Sequence, residues 1–190
     1  MPTTVKIEEF LRRICAALEL SEIPYMVTGS VASSIHGIPR STNDLDIVIA
    51  PSRDQLLAFI QFVKRFGYFA QRESAENALR NHDQFNVIDF PHSWKVDLII
   101  RKVREFSITE FDRREQIEVG DLRFVIARPE DVLIAKLEWT KISPSERQMQ
   151  DAAAGIVIVQ GGQLDLEYVE KWVAALELQE QWQAVRALAG

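Results

Sequence analysis

An α/β (α+β) fold, in which helices flank a mixed sheet and a helical C-terminal region follows, is what this 190-residue sequence predicts. Three observations carry the expectation. Short runs rich in Ile and Val, such as 44–50 and 95–100, have strand length and strand composition. Segments with apolar residues three and four apart lie among them, the pattern of helices packed on a sheet. From Pro129 onward only the helical spacing remains, which predicts an α/β core over 1–128 and a helical region packed on it over 129–190.

Taken in order, Ile7, Phe10, Leu11, Ile14 and Leu18 predict an amphipathic helix ending near Leu20, ahead of Pro24. "YMVTG" at 25–29 reads as a short apolar strand closed by glycine, and "SVASSIHG" at 30–37 as a two-turn helix stopped by Gly37 and Pro39. The strand "DLDIVIA" follows at 44–50. Ser52 and Gln55 have capping-box spacing and open a helix with Leu56, Phe59, Ile60, Val63 and Phe66 on one face, closed by Gly67. "QFNVIDF" and "KVDLII" flank the short "PHSW" and predict a hairpin, and "LRFVIA" predicts a further strand. Pro129 sits at a first-turn position of the helix "PEDVLIAKLEWTK", and Ser143 with Glu146 has capping-box spacing before a helix that ends at Gly161-Gly162. Val169, Trp172, Val173 and Leu176, then Trp182 and Val185, predict two last helices over 165–178 and 179–188.

Composition narrows the function classes. The chain is 47% hydrophobic and 26% charged, and no apolar run approaches the roughly 18 residues of a membrane span, so a soluble protein is expected and a membrane partner is not. The N-terminus "MPTTVKIEEF" lacks the charge and apolar centre of a secretory signal, so a cytoplasmic location is expected. A net charge of −6 argues against non-specific coating of nucleic acid, which depends on neutralising many phosphates. An acidic chain that handles phosphate would do so more plausibly through divalent metal. The single cysteine, Cys15, lies among apolar residues of a helical pattern and reads as a buried thiol.

The chemistry concentrates in "VTGSVASSIHGIPRSTNDLDIVIA", 27–50. Side chains alternate across a strand, so Asp44 and Asp46 share a face, roughly 6.5 to 7 Å apart at Cα, while Leu45, Ile47 and Ile49 take the other. Two converging carboxylates repel and need a cation, a shared proton or open water, of which divalent metal is the most productive. Asp97 in "KVDLII" is likewise out of phase with Val96, Leu98 and Ile100. If the two strands are neighbours, three aspartates could hold two Mg²⁺ ions about 3.5 to 4 Å apart, a geometry of phosphoryl transfer. Gly29 lets a phosphate approach the backbone at a helix N-terminus, and the Ser30 hydroxyl adds a donor.

These residues resemble the nucleotidyltransferase superfamily typified by DNA polymerase β. Its signature is Gly-Ser opening a helix, then Asp-x-Asp, then a third acid on a later strand, matched here by Gly29-Ser30, Asp44-Leu45-Asp46 and Asp97. The likeness extends to the small bacterial branch of minimal nucleotidyltransferases and AbiEii-type toxins, through the Arg-x-Thr-x-Asp-x-Asp version of the motif, here Arg40 to Asp46. A later "Pro-Glu-Asp" helix with a lysine looks similar to Pro129-Glu130-Asp131 with Lys136, followed by Arg147 and Asp151. The resemblance implies a Mg²⁺-dependent transfer of a nucleoside monophosphate from a nucleoside triphosphate to a hydroxyl of a protein, an RNA such as tRNA, or a small molecule. It implies that Asp44, Asp46 and Asp97 bind metal, that Asp97 also activates the acceptor, and that Gly29, Ser30, Arg40, Thr42 and Lys136 bind the nucleotide. It also brings a second class of reading, a catalytically silent nucleotide-binding or toxin–antitoxin interaction module with a cognate antitoxin as partner.

The competing signatures are weaker. P-loop, dinucleotide-binding, nucleophile-elbow and zincin patterns are absent. An Asp-x-Asp phosphatase of the haloacid-dehalogenase type places its acids after the apolar strand, whereas Ile47, Val48 and Ile49 follow them here. His36, His82 and His92 lack metal-ligand spacing and are expected at the surface or in loops, and the four tryptophans are expected in the core.

Overall fold

The computed structural model describes residues 2–40, 42, 44–143 and 147–190, with side chains from Ile7 on. The chain divides into two compact units, 1–27 with 42–126, and 28–41 with 127–190.

The first unit is built on a mixed seven-stranded sheet of order β3-β4-β5-β2-β1-β7-β6. Its strands are β1 (Tyr25–Thr28), β2 (Asp44–Ile49), β3 (Phe69–Ala70), β4 (Gln84–Asp89), β5 (Trp94–Ile100), β6 (Glu115–Val119) and β7 (Leu122–Ile126). The expected hairpin is β4–β5, antiparallel and joined by a short 3₁₀ turn over Phe90–His92. Strands β2 and β5 run parallel, as do β1 and β7. Leu45, Ile47 and Ile49 with Val96, Leu98 and Ile100 are buried on one face, each large side chain contributing about 1.5–3 kcal/mol by leaving water.

The helices of this unit are α1 (Pro2–Leu20), α3 (Arg53–Arg65), α4 (Arg72–Asn81) and α5 (Glu105–Asp112). Helix α1 buries Phe10, Leu11, Ile14 and Leu18, and it starts earlier than its apolar spacing indicates. The capping box of α3 is complete: Gln55 N–H donates to Ser52 Oγ at 3.3 Å and Ser52 N–H donates to Gln55 Oε1 at 2.8 Å. Cys15 is buried, and desolvation pushes its thiol up to about 12 against the opposing hydrogen bond with Tyr25. Elements α4, α5, β3 and β6 were not foreseen.

The second unit contains α2 (Gly29–His36), α6 (Pro129–Ile142), α7 (Arg147–Gln160), α8 (Leu166–Ala175) and α9 (Gln179–Ala189). Pro129 occupies the first turn of α6, and Asp165 caps α8 by accepting the Tyr168 N–H at 3.0 Å. Of the expected Ser143–Glu146 capping box, Glu146 lies outside the described residues. Helix α2 packs on α6 and α7. Its last residue, His36, is buried rather than at the surface, because Nε2 donates to the Ala127 carbonyl at 2.7 Å while its own carbonyl accepts from Gln160 Nε2 at 2.7 Å. Trp94, Trp172 and Trp182 are buried, whereas Trp139 is 53% exposed on α6 and departs from the expected core position. Among the described residues no helix is long and apolar enough to cross a membrane.

Candidate active site

The carboxylates belong to the first unit. Strand β2 lies beside β5 with Asp46 directly opposite Asp97 and Asp44 opposite Lys95. Neighbouring strands are about 4.8 Å apart, so Asp46 and Asp97 stand side by side on one face. Alternation keeps Asp44, Asp46, Lys95 and Asp97 on that face, and the register adds Asn86 of β4, opposite Asp97. Leu45, Ile47, Val96 and Leu98 anchor the other face, so burial of the strands aims the acids outward.

Within this cluster the balancing cation is a lysine. Lys95 Nζ donates to Asp97 Oδ2 at 3.1 Å and lies 3.9 Å from Asp44 Oδ1. The Lys95 ammonium is held above its ordinary value, chiefly by the hydrogen bond to Asp97, against partial burial, with the charges of Asp97, Asp44 and Asp46 adding to it. Asn86 donates its side-chain amide to the other Asp97 oxygen. Asp97 is thus engaged on both oxygens and its side chain is only 14% exposed, while that of Asp44 is 65% exposed. Thr42 ties down the start of β2, with its hydroxyl accepting from Asp44 N–H at 3.2 Å and donating to the Asp44 carbonyl at 3.1 Å.

Three carboxylates on neighbouring strands offer the hard oxygen donors that suit Mg²⁺. As the side chains lie, no group of three or more His, Cys, Asp or Glu among the described residues could hold a metal ion. The donor chemistry fits the ion, and the geometry adds a condition: Lys95 must leave Asp97 for a metal to approach it.

The remaining candidates belong to the second unit. Gly29 begins α2 at φ 65°, a left-handed conformation that favours glycine, and Ser30 follows in the first turn. Arg40 donates from Nη1 to the Gln148 carbonyl at 3.1 Å, and its backbone is held by Ser34 Oγ. Lys136 is 6% exposed on α6 rather than solvated, with Nζ 3.5 Å from Met149 Sδ. Ser41 and Asn43 of the Arg-x-Thr-x-Asp-x-Asp motif lie outside the described residues.

Sequence reasoning missed Lys95 and Asn86. The signal for Lys95 was present, since it stands two residues before Asp97 and therefore on the same face of the strand. Asn86 needed the β4–β5 register.

No protein-family model and no curated protein matches the sequence. The fold does match solved structures. The antibiotic-resistance factor ANT(2'')-Ia in solution superposes with a TM-score of 0.62 at 11% identity, over 96% of each chain. ANT(2'')-Ia in complex with adenylyl-2''-tobramycin superposes with a TM-score of 0.61 at 13% identity, over 90% of this chain and 97% of that one. A nucleotidyltransferase-like protein from Paracoccidioides brasiliensis aligns over 95% of this chain and 92% of its own, at 14% identity and a TM-score of 0.48. The chain has the nucleotidyltransferase fold.

Proposed function

We propose that this chain transfers a nucleoside monophosphate from a nucleoside triphosphate to a hydroxyl acceptor. The observation that carries the reading is Asp46 opposite Asp97 on parallel neighbouring strands, with Asp44 on the same face, in a nucleotidyltransferase fold. In the reaction the acceptor oxygen attacks the α-phosphorus, the bond from that phosphorus to the α,β-bridging oxygen breaks, and pyrophosphate leaves with the electron pair. The acceptor proton passes to a carboxylate oxygen of Asp97, which is less exposed than Asp44. Asp44, Asp46 and Asp97 are the residues that would hold Mg²⁺, two ions by this reading, and the ion supplies positive charge against the triphosphate and the transition state. Gly29 and Ser30 would hold triphosphate oxygens through helix N–H groups and a hydroxyl, with Arg40, Thr42 and Lys136 completing the nucleotide contacts.

ANT(2'')-Ia is known in complex with an adenylylated small molecule, which supports a small hydroxyl-bearing molecule as the first acceptor class to test. The test supplies each labelled nucleoside triphosphate, with and without Mg²⁺, to the full chain together with small-molecule, RNA and protein acceptors. Label appearing on an acceptor only with Mg²⁺ supports the reading. Nucleotide binding with no transfer to any acceptor class overturns it in favour of the silent module.

Lys95 gives this reading a second readout. In chelator, Lys95→Gln removes the cation between Asp97 and Asp44. The pair is 41% exposed on the lysine side, so screening limits the loss to about 1 kcal/mol, a fall in Tm of about 3 °C. Mg²⁺ is then expected to raise the Tm of Lys95→Gln more than that of the parent, since no ammonium has to be displaced. Equal Mg²⁺ shifts in the two proteins would remove Lys95 from the metal argument.

A further inference from the structure

Beyond the acid cluster, the first unit carries two arginines that form no ion pair among the described residues. Arg101 directly follows β5 and its N–H donates to the Ile49 carbonyl at 2.8 Å. It continues the odd-numbered series Lys95, Asp97 and Ile99, about 13 Å along the strand from Asp97. Its guanidinium carbon lies 5.6 Å from the centroid of the Phe111 ring, and that of Arg114 lies 4.2 Å from the same centroid. Two like charges therefore share one buried aromatic ring.

Neither guanidinium has a carboxylate partner among the described residues, although Asp112 exerts a longer-range pull on Arg114. Arg114 also donates to the Phe111 carbonyl, and burial and the charge of Arg101 hold it below the ordinary arginine value, with Asp112 opposing. Arg101 Nε is shut away from solvent with no hydrogen-bond partner among the described residues. A buried charged donor left without an acceptor is costly, so this side chain gains by turning toward an anion. In a chain of net charge −6, a cation pair with no ion-pair partner among the described residues is out of keeping with its surroundings.

We propose that Arg101 and Arg114 form an oxyanion site, selective for a phosphate group, separate from the carboxylate cluster. Phosphate suits it for two reasons. It carries close to two charges at neutral pH, which answers both guanidiniums, and its oxygens accept the paired N–H donors of a planar guanidinium fork. The ligand is either free inorganic phosphate or a phosphomonoester, and the site does not depend on the nucleotidyl-transfer reading.

The full chain is titrated with inorganic phosphate and, separately, with glycerol phosphate, free of nucleotide and divalent metal and at ionic strength matched with chloride. At ligand about tenfold above Kd, Tm is expected to rise by about 4 °C. Calorimetry is expected to give at least tenfold weaker binding for Arg101→Gln and for Arg114→Gln, with partial recovery in Arg101→Lys. Arg101→Gln is the decisive variant, since its side chain makes no hydrogen bond among the described residues that the fold would lose. Glycerol phosphate bound as tightly as phosphate identifies a phosphorylated substrate, and phosphate alone identifies the free anion. The proposal is overturned if phosphate acts no more strongly than chloride, if Arg101→Gln binds it like the parent, or if Asp44→Asn with Asp46→Asn abolishes the binding.

Discussion

The Asp44→Asn, Asp46→Asn double variant is expected to fold like the parent and to lose nucleotidyl transfer by at least about 10³-fold, some 4 kcal/mol of transition-state stabilisation. Both substitutions keep the shape of the side chain and remove its charge. Asp44 is 65% exposed at the side chain and Asp46 lies on the outward face of β2, so neither supports the core. Removing two like charges relieves repulsion around Asp97, while Lys95 keeps its 3.1 Å hydrogen bond to that residue. Stability should therefore change by no more than about 1 kcal/mol. The two effects are not additive if the carboxylates act as a unit, so each single variant is expected to lose most of what the double variant loses. The measurement is initial transfer rate at saturating Mg²⁺ and nucleotide, beside a thermal melt of the same preparations. Transfer above a tenth of the parent rate in a well-folded double variant would detach the reaction from these acids.

Much of the carboxylate geometry was legible because strand alternation is a strict rule. Once 44–50 and 95–100 were read as strands, the apolar residues at 45, 47, 49, 96, 98 and 100 left Asp44, Asp46 and Asp97 only the outward face. That β2 and β5 are neighbours could not be read, since parallel pairing between strands some 50 residues apart leaves no local mark. Lys95 carried the same mark, two residues before Asp97 and so on the same strand face.

Other features had no clear signal. Helix α4 buries only Ala75 and Ala78, so no large apolar residue announces its inner face. It stops at His82 in the left-handed region at φ 52°, where glycine would have announced the end. Strand β6 buries none of its residues fully and lies at the sheet edge beside β7, so its alternation is faint. His36 illustrates the same limit, since its burial depends on the Ala127 carbonyl, 91 residues away. The grouping of 28–41 with the C-terminal helices is likewise set by packing against α6 and α7, which chain order does not express.

That packing rests on a backbone contact, and Gly37→Ala is expected to be among the most destabilising single substitutions in the chain. A Cβ at Gly37 would stand 2.9 Å from Ile156 N, 2.9 Å from the Ser33 carbonyl oxygen and 3.0 Å from the carbonyl carbon of Gly155. All three are backbone atoms, so no rotamer change can make room and the segment after α2 must lift away from α7. Overpacking of this kind costs about 1–3 kcal/mol or more, equivalent to a fall in Tm of about 4–10 °C. Gly155→Ala meets Ile38 N at 3.2 Å and the Ile38 side chain at 3.4 Å, a looser contact partly relieved by the side chain, and its cost should be smaller. Lifting this segment also strains the two hydrogen bonds at His36, so the effect should reach the whole of α2. Because α2 starts at Gly29 and Ser30, the proposed triphosphate contacts, Gly37→Ala should weaken nucleotide binding in the temperature range where the protein remains folded. Thermal melts, hydrogen exchange of the α2 amides and a nucleotide titration measure the three consequences. Unchanged melting and unchanged α2 exchange would mean that the close approach of 37 to α7 is not what holds the helix.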